Sequence, residues 1–517
     1  MRFSPALTLA IAALAAAPAD AAGPRDVAPD GRAAAYSTFQ PAHPDDLDTN
    51  GDVFSWNRGA FDFASRGPGG DVSGASMPFV SDDGTRVLFT TWDPLLAADT
   101  DGAEDVYERV GGVTSLVSTG PSDNGADRAA RFGAASNDGT RVYFDTEARL
   151  VPEDTDDLRD VYLRTADGTV TLASTTPAGV PDQAHLLVAA SRNGLRMVEV
   201  TDAPLTSGDN PGADLFERFD GTITHVSKSL VGPVALGPGF AIHGVTPDAR
   251  SVVIATFARM TGGDRNSDLD LYQFSRGRTT LVTSRSDGVS PRCDEIASPL
   301  VPSRRPPCEP FFASQTDDGD RVLFTSSKGL AAKPGPLGLP VTAPAGGLME
   351  KGVATGATRL IDEGGRDTSA IAPDGARYLL HTATAHSPED TDDFDDLYLL
   401  EGGQTTLLSG TGGRVGVSDV THTPDLRRVF FESIERLAAE DTNSDHDTYV
   451  NTPDGPRLAM RSPSVDPVGG YGRLLGPSES GDRWLFLTPW PLAPDDSGTD
   501  EDLYVRHTDG TTRKLSP

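Results

Sequence analysis

Closely spaced aspartate and asparagine residues recur along the chain, and they are the residues with the clearest chemical potential. Each set starts and ends on an aspartate six residues apart, as in Asp99 to Asp105 and Asp154 to Asp160. Closely spaced oxygen ligands of this kind suit a hard cation such as Ca²⁺. The candidate ligands are Asp99, Asp101, Asp105, Asp154, Asp156, Asp160, Asp264, Asn266, Asp270, Asp390, Asp392, Asp396, Asp441, Asn443 and Asp447.

Two interpretations of these acidic loops stay open. The first is calcium binding, although the distant bidentate glutamate of an EF-hand is missing and no helix follows. The second is turn architecture, because Asp and Asn side chains accept hydrogen bonds from their own backbone in turns. Asp48 to Asp52 is a shorter version of the loop, and Asp209 and Asp214 are only five apart. No cofactor other than Ca²⁺ is predicted.

The acidic loops recur because the chain itself is a series of repeats. A turn, usually Asp-Gly, marks each repeat, and successive turns lie between 51 and 70 residues apart. A period of this size is typical of solenoids, propellers and arrays. The second turn residues are at positions 31, 84, 139, 194, 249, 319, 375, 426 and 481.

One repeat has room for four short strands and no helix. In the second repeat these are residues 75–80, 86–90, 105–109 and 113–118, separated by turn residues. Four such strands per repeat predict an all-β fold, a single β-propeller of antiparallel blades over residues 22–517. The repeats predict nine blades, or eight if the weak first repeat, with only residues 25–29 as its inner strand, packs outside the ring.

The repeat motif resembles that of a known family. Thr246-Pro247-Asp248 and Ala372-Pro373-Asp374-Gly375 precede apolar strands, and strands such as Asp160-Val161-Tyr162 follow the acidic loops. This pattern is similar to the TolB-like, WD-repeat-like propeller repeats of bacterial envelope and secreted proteins. The resemblance implies an interaction role at the cell envelope, but the small N-terminal α/β domain of TolB has no counterpart here.

Residues 1–21 predict a secretory signal peptide. Arg2 precedes an apolar stretch, residues 6–17, which is too short to span a bilayer, and Ala19-Asp20-Ala21 is a suitable cleavage site. No later stretch is long and apolar enough to span a membrane, and no lipobox is present. We therefore expect a periplasmic or secreted protein.

An insertion at residues 287–310 lengthens the step between repeats five and six. It contains both cysteines of the chain, Cys293 and Cys308. In an exported protein this pair predicts a disulfide that closes a local loop. A metal or thiol site is the rival interpretation. In repeat six, the Pro/Gly-rich residues 328–347 replace the acidic loop.

The composition limits the partners. The formal net charge is −32 and the sequence pI is about 4.5. Nucleic acids and anionic membranes both require a positive face, so we predict neither as a partner. The charge favours solubility, a cationic partner or bound cations, and we expect a monomer.

Catalytic motifs are not apparent. The sequence has no G-x-S-x-G motif and no H-E-x-x-H motif, and its nine histidines are scattered. We therefore predict a non-catalytic module that binds a protein or a glycan. In a four-stranded meander the acidic loops and the insertion should share one face, which would be the binding face. The alternative is a propeller glycosidase or polysaccharide lyase.

Overall fold

The structure is a computed structural model. It describes residues 26–517 except 41, 68–73, 123–127, 208, 210–211, 232–235, 237–239, 291–309, 328–329, 331–332, 338–346, 410–415, 443–445, 461–471, 495 and 497–499. The predicted signal peptide, the predicted disulfide between Cys293 and Cys308, and Asn443 lie outside the described residues.

Short strands and turns form the described part of the chain, which contains 36 strands and no helix. The strands form nine sheets, and all but one of the strand pairs are antiparallel. Blades 1 to 3 are β1 (Ala33–Thr38), β2 (Asp52–Asn57), β3 (Ala60–Phe63); β4 (Ala75–Val80), β5 (Arg86–Thr91), β6 (Asp105–Val110), β7 (Val113–Leu116); and β8 (Ala130–Ala135), β9 (Arg141–Thr146), β10 (Asp160–Thr165), β11 (Val170–Leu172).

The remaining blades repeat this arrangement. Blades 4 to 6 are β12 (His185–Ala190), β13 (Arg196–Thr201), β14 (Asp214–Phe219), β15 (Thr222–His225); β16 (Ala241–Val245), β17 (Ser251–Thr256), β18 (Asp270–Ser275), β19 (Arg278–Leu281); and β20 (Phe311–Gln315), β21 (Arg321–Ser326), β22 (Lys333–Pro334), β23 (Gly347–Gly352), β24 (Thr358–Asp362). Blades 7 to 9 are β25 (Ala370–Ile371), β26 (Arg377–Thr382), β27 (Asp396–Glu401), β28 (Gln404–Leu407); β29 (Ser418–His422), β30 (Val429–Ser433), β31 (Asp447–Thr452), β32 (Gly455–Met460); and β33 (Arg473–Pro477), β34 (Arg483–Thr488), β35 (Asp502–His507), β36 (Thr512–Lys514).

We name the strands of a blade a, b, c and d in chain order. Blade 1 has strands b to d and a single bridge from Val27 to Ala34 in place of strand a. Blade 6 carries a fifth strand, β22, which lies parallel to β24 and comes from the Pro/Gly-rich segment that replaces the acidic loop. The predicted all-β propeller of nine blades is confirmed.

The chain separates into two compact units. The terminal unit comprises Ala19–Ala203, Glu217–Thr222 and Ser462–Pro517, and the middle unit comprises Pro204–Phe216 and Ile223–Arg461 within the described chain. In the terminal unit, blade 1 packs against blade 2 through Ala35 and Phe89 and against blade 9 through Tyr36 and Leu485. The first repeat therefore does not lie outside the propeller, and the eight-blade alternative is wrong.

Strands b and c supply the core. Strand b is a continuous apolar run that is buried on both faces, as in Val87-Leu88-Phe89. The Phe89 ring stacks on the ring of Tyr107 in strand c, with their centroids 5.9 Å apart. The same pair recurs as Phe144–Tyr162, Phe431–Tyr449 and Phe486–Tyr504.

The a–b turn lies close to the preceding blade. Gly84 has a φ of 73°, and a Cβ added there would lie 2.3 Å from the Cβ of Ala33 in blade 1. Asp83 accepts hydrogen bonds from Ser81 Oγ (2.7 Å) and from the backbone N–H of Thr85 (2.9 Å). The Asp-Gly signal therefore marks a turn that needs both a left-handed residue and a minimal side chain.

Candidate functional site

The acidic loops connect strand b to strand c. In blade 3 strand b ends at Thr146, the first loop aspartate is Asp154, and Asp160 is the first residue of strand c. The loop therefore brings its two outer aspartates to one end of a rigid pair of strands. Asp154 and Asp160 are both buried, although their loop is at the surface.

A tyrosine of strand c holds the first aspartate of the loop. Its hydroxyl donates a hydrogen bond to the carboxylate eight residues earlier, over 2.6 Å between Tyr272 and Asp264. Burial and the adjacent carboxylate raise the pKa of Tyr272 and keep this hydroxyl a donor. Among the described residues the pairs are Tyr107–Asp99, Tyr162–Asp154, Tyr272–Asp264, Tyr398–Asp390, Tyr449–Asp441 and Tyr504–Asp496.

A serine or threonine after strand d holds the last aspartate. In blade 2 Ser118 Oγ donates to Asp105 Oδ1 (2.5 Å) and accepts the backbone N–H of Val106 (3.0 Å). The described equivalents are Ser65–Asp52, Ser174–Asp160, Ser227–Asp214, Thr283–Asp270, Ser409–Asp396 and Ser516–Asp502. The sequence analysis missed these hydroxyls, although their repeated position 13 or 14 residues after the aspartate was a usable signal.

The middle of the loop is held by local turns. Asp101 Oδ1 accepts the backbone N–H of Ala103 (2.6 Å), and Asp156 Oδ1 accepts that of Leu158 (2.8 Å). The same two-residue bond joins Asp392 to Phe394. The turn interpretation predicts hydrogen bonds of this kind, from backbone N–H groups to aspartate side chains. They account for the repeated spacing of the aspartates without an ion.

The aspartates of three predicted sites nevertheless converge. In the loops of blades 2, 3 and 7, one oxygen from each of three aspartates lies within 4.8 Å of the other two. These trios are Asp99, Asp101, Asp105; Asp154, Asp156, Asp160; and Asp390, Asp392, Asp396, and Asp46, Asp48, Asp52 of blade 1 form a fourth. The structure is consistent with either interpretation, so calcium binding stays a prediction.

The other two predicted calcium sites lie in the acidic loops of blades 5 and 8. In blade 5 Asp264 Oδ1 accepts the backbone N–H of Asn266 (3.2 Å), and Asp270 accepts hydrogen bonds from Thr283 and Ser290. In blade 8 Asp441 bonds Tyr449, and Asp447 is the first residue of strand c. Blade 8 cannot be described further as a site, because Asn443 lies outside the described residues.

Burial makes Asp105 and Asp160 bind protons more readily than an exposed aspartate. Burial raises the pKa of Asp105 to about 7. The hydrogen bond from Ser118 opposes this rise, and the negative charges of Asp99, Asp101 and Glu104 add to it. Burial likewise raises the pKa of Asp160 to about 7. A cation placed among these carboxylates would favour their charged forms.

Two blades place a basic side chain against the acidic pair. The strand d residue two positions before the bonding serine or threonine is leucine in blades 2, 3, 5 and 7, as in Leu116. In blade 9 this residue is Lys514, whose Nζ lies 2.9 Å from Asp502 and 3.7 Å from Asp496. In blade 4 it is His225, 3.2 Å from Asp214. Sequence reasoning missed both, because they stand out only when the outer strands are aligned.

The insertion starts beside an acidic loop. Ser290 Oγ donates to Asp270 Oδ1 (3.0 Å) and lies 3.3 Å from the side-chain nitrogen of Asn266. The backbone N–H of Ser290 also donates to the carbonyl of Gly263 (3.1 Å). The described start of the insertion therefore lies on the acidic end of blade 5, the end at which the sequence analysis expected it.

A buried acid–base pair occurs at a core position of blade 4. His185 Nδ1 lies 3.1 Å from Glu199 Oε2, and the other oxygen of Glu199 accepts a hydrogen bond from Arg218 Nε (2.6 Å). Burial disfavours the charged histidine, but the charges of Glu199 and Asp160 and the hydrogen bonds to Glu199 and Asp182 together outweigh it and raise the pKa of His185 to about 9. Both side chains are fully buried, so this pair is not placed to meet a substrate.

No protein-family model and no curated protein matches the chain. Among solved structures it is similar to TolB from Acinetobacter baumannii, with 10% identity and a TM-score of 0.25 over 63% of this chain and 65% of that chain. It is similar to Porphyromonas gingivalis dipeptidyl peptidase 4, with 13% identity and a TM-score of 0.40 over 96% of this chain and 59% of that chain. It is also similar to a prolyl endopeptidase, with 13% identity and a TM-score of 0.34 over 84% of this chain and 54% of that chain.

These similarities concern the fold alone, and the chain spans about half to two thirds of each of these three proteins. TolB proteins, whose propeller repeats the motif of this chain resembles, are among the similar solved structures. No helix that could cross a membrane occurs in the described part of the chain.

Removal of one loop-holding hydroxyl should destabilise the protein. Tyr162→Phe leaves the stacked ring in place but deprives buried Asp154 of its donor, so we expect a loss of about 1.5–3 kcal/mol of unfolding free energy. Tyr143→Phe is the matched control, because the Tyr143 hydroxyl donates to the neutral carbonyl of Gly194. Urea unfolding measures both variants, and an equal or smaller loss in Tyr162→Phe would contradict the role of the pair.

The raised pKa of Asp105 predicts a pH dependence. Native Asp105 keeps its proton up to about pH 7, whereas an unfolded aspartate loses it near its ordinary value of 3.8. The native state therefore binds more protons between these pH values, and this contribution to stability is lost as the pH rises through 7. In Asp105→Asn we expect a smaller fall in unfolding free energy between pH 4 and pH 7.5 than in the wild type. An equal fall in unfolding free energy in the two proteins over this pH range would contradict the raised pKa of Asp105.

Proposed function

We propose that the chain is an exported, non-catalytic β-propeller that binds a cationic protein segment or glycan through its acidic loops. The observation that carries this proposal is a set of bulky apolar side chains exposed among the carboxylates of blades 1 and 2. Phe39, Leu47 and Trp92 are 72%, 80% and 54% exposed. Large exposed apolar side chains close together mark interaction surfaces, whereas isolated ones need no explanation.

The fold places these three residues at one end of neighbouring blades. Phe39 and Trp92 each follow the last residue of strand b, Thr38 and Thr91 respectively, and Leu47 lies in the acidic loop of blade 1. The end of that loop meets the start of blade 2, since Ala75 N–H donates to the carbonyl of Gly51. Equivalent positions on adjacent blades therefore present aromatic rings beside acidic loops.

Charge selects the partner. The chain carries a formal net charge of −32, and Phe39 and Trp92 each follow strand b directly, at the start of an acidic loop. Complementary charge speeds association and excludes like-charged partners, while the buried aromatic contacts supply most of the affinity. A ligand with amines or guanidinium groups next to apolar surface fits this combination. Its export rests on the leader predicted from residues 1–21.

The binding test uses two cationic probes. An Arg/Lys-rich peptide that contains tryptophan and a glucosamine oligomer represent the protein and glycan sources, and surface plasmon resonance measures both. We expect binding to one of them that weakens as salt is raised, and a loss of at least about tenfold in Trp92→Ala. A peptide with Glu in place of Arg and Lys should not bind.

Leu195→Ala is the matched control variant. Leu195 is 51% exposed and lies at the other end of strand b, in the a–b turn of blade 4. Its replacement should leave the affinity unchanged. Equal losses in Leu195→Ala and Trp92→Ala, or the absence of any preference for cationic probes, would contradict the proposed surface.

Calcium at the acidic loops is a separate proposal, and melting temperatures test it. A ligand that binds only the native state at a hundred times its Kd adds about 2.7 kcal/mol. If Ca²⁺ binds the converging trios, the protein melts several degrees higher in millimolar Ca²⁺ than in EDTA, and Asp101→Asn reduces that shift. The same melting temperature in both buffers would contradict calcium binding and leave the loops as turn architecture.

A further inference from the structure

The outer strand of blade 4 brings a histidine to two aspartates. One ligand atom each from Asp209, Asp214 and His225 lies within 4.8 Å of the other two. His225 Nε2 lies 3.2 Å from Asp214 Oδ1, which is close to the separation of roughly 3.3 Å between two ligands of a tetrahedral zinc ion. The His225 ring stacks on Phe216, with centroids 5.0 Å apart, and this contact fixes its orientation.

Blade 4 also departs from its repeat. Phe216 occupies the strand c position where six blades carry the tyrosine that bonds the first aspartate. Asp209 therefore has no such tyrosine opposite it, and His225 replaces the leucine of blades 2, 3, 5 and 7. The change to phenylalanine removes the hydroxyl that usually bonds the first aspartate, and the change from leucine to histidine adds an imidazole nitrogen beside the acidic pair.

Blade 9 shows that this position accommodates a cation. Lys514 is equivalent to His225, because each lies two residues before the serine that bonds the second aspartate. The Lys514 ammonium lies against Asp496 and Asp502, the counterparts of Asp209 and Asp214. In blade 9 the protein supplies the positive charge itself, while blade 4 supplies a metal-ligating side chain.

An unpartnered buried oxygen supplies the independent sign of a ligand. Asp214 is 1% exposed, and its Oδ1 accepts a hydrogen bond from Ser227 Oγ (2.6 Å). Its Oδ2 is buried and has no hydrogen-bond partner among the residues that the structure describes. A buried carboxylate oxygen without a partner carries a large desolvation cost, which a bound cation would offset.

We propose that Asp209, Asp214 and His225 bind one divalent transition-metal ion, with Zn²⁺ as the best match. Imidazole with carboxylates suits zinc, whereas Ca²⁺ and Mg²⁺ take oxygen ligands only. Three protein ligands leave a fourth position for water or a ligand group. This site is separate from the proposed partner-binding surface of blades 1 and 2 and from the proposed calcium sites.

Isothermal titration of the untagged, metal-free chain with ZnCl₂, without reductant, tests the site. We expect one equivalent to bind, with an affinity at least about tenfold weaker in His225→Leu. Leucine restores the residue of the other blades, so this variant should fold normally. His225→Lys reproduces blade 9, and it should also lose zinc binding and melt in EDTA close to the wild-type temperature.

The controls separate this site from other ligands. Asp154→Asn alters the acidic loop of blade 3 and should leave zinc binding unchanged. With Co²⁺ as the probe, a visible spectrum without thiolate charge-transfer bands is expected, because no cysteine belongs to the site. Failure of the wild type to bind zinc, unchanged affinity in His225→Leu, or a cysteine-type Co²⁺ spectrum would overturn the proposal.

Discussion

The hydrogen bond between a strand c tyrosine and the first loop aspartate is the interaction on which the acidic end of six described blades depends. It joins a fully buried ring, stacked on strand b, to a carboxylate at the start of the loop, as in Tyr162 and Asp154. A bond to a charged acceptor is stronger than one between neutral groups, and an unpaired buried carboxylate would be costly. The tyrosine therefore belongs to the core and to the surface loop at the same time.

This arrangement explains how the chain carries a net charge of −32 without losing its fold. Each acidic loop neutralises part of its own repulsion through hydrogen bonds from tyrosine, serine and backbone N–H groups. Where those bonds are insufficient, burial raises the carboxyl pKa, as at Asp105, and the group keeps a proton. Blade 9 adds the ammonium of Lys514 to its acidic pair. The repeat thus stabilises one acidic pair in several ways.

Departures from the repeat show where a blade does something different. Blade 4 has Glu199 where blades 2 and 3 have Phe89 and Phe144, and it pairs that glutamate with buried His185. The same blade carries Phe216 and His225 at positions that other blades fill with tyrosine and leucine. A buried charge in place of an apolar ring is weak support for stability, because desolvation offsets the attraction. The concentration of such changes in one blade favours a specialised role for it.

The amino-acid sequence by itself determined the repeat and the four-stranded blade, and it predicted nine blades while leaving eight open. It also determined the local bonds of the loops, because a hydrogen bond from the backbone N–H of Ala103 to Asp101 Oδ1 depends only on neighbours along the chain. Tertiary structure decided which residues hold the acidic pairs. Tyr107 reaches Asp99, and Ser118 reaches Asp105, only once strands c and d lie side by side. The roles of Lys514 and His225 likewise depend on burial against carboxylates that spacing alone could not assign to them.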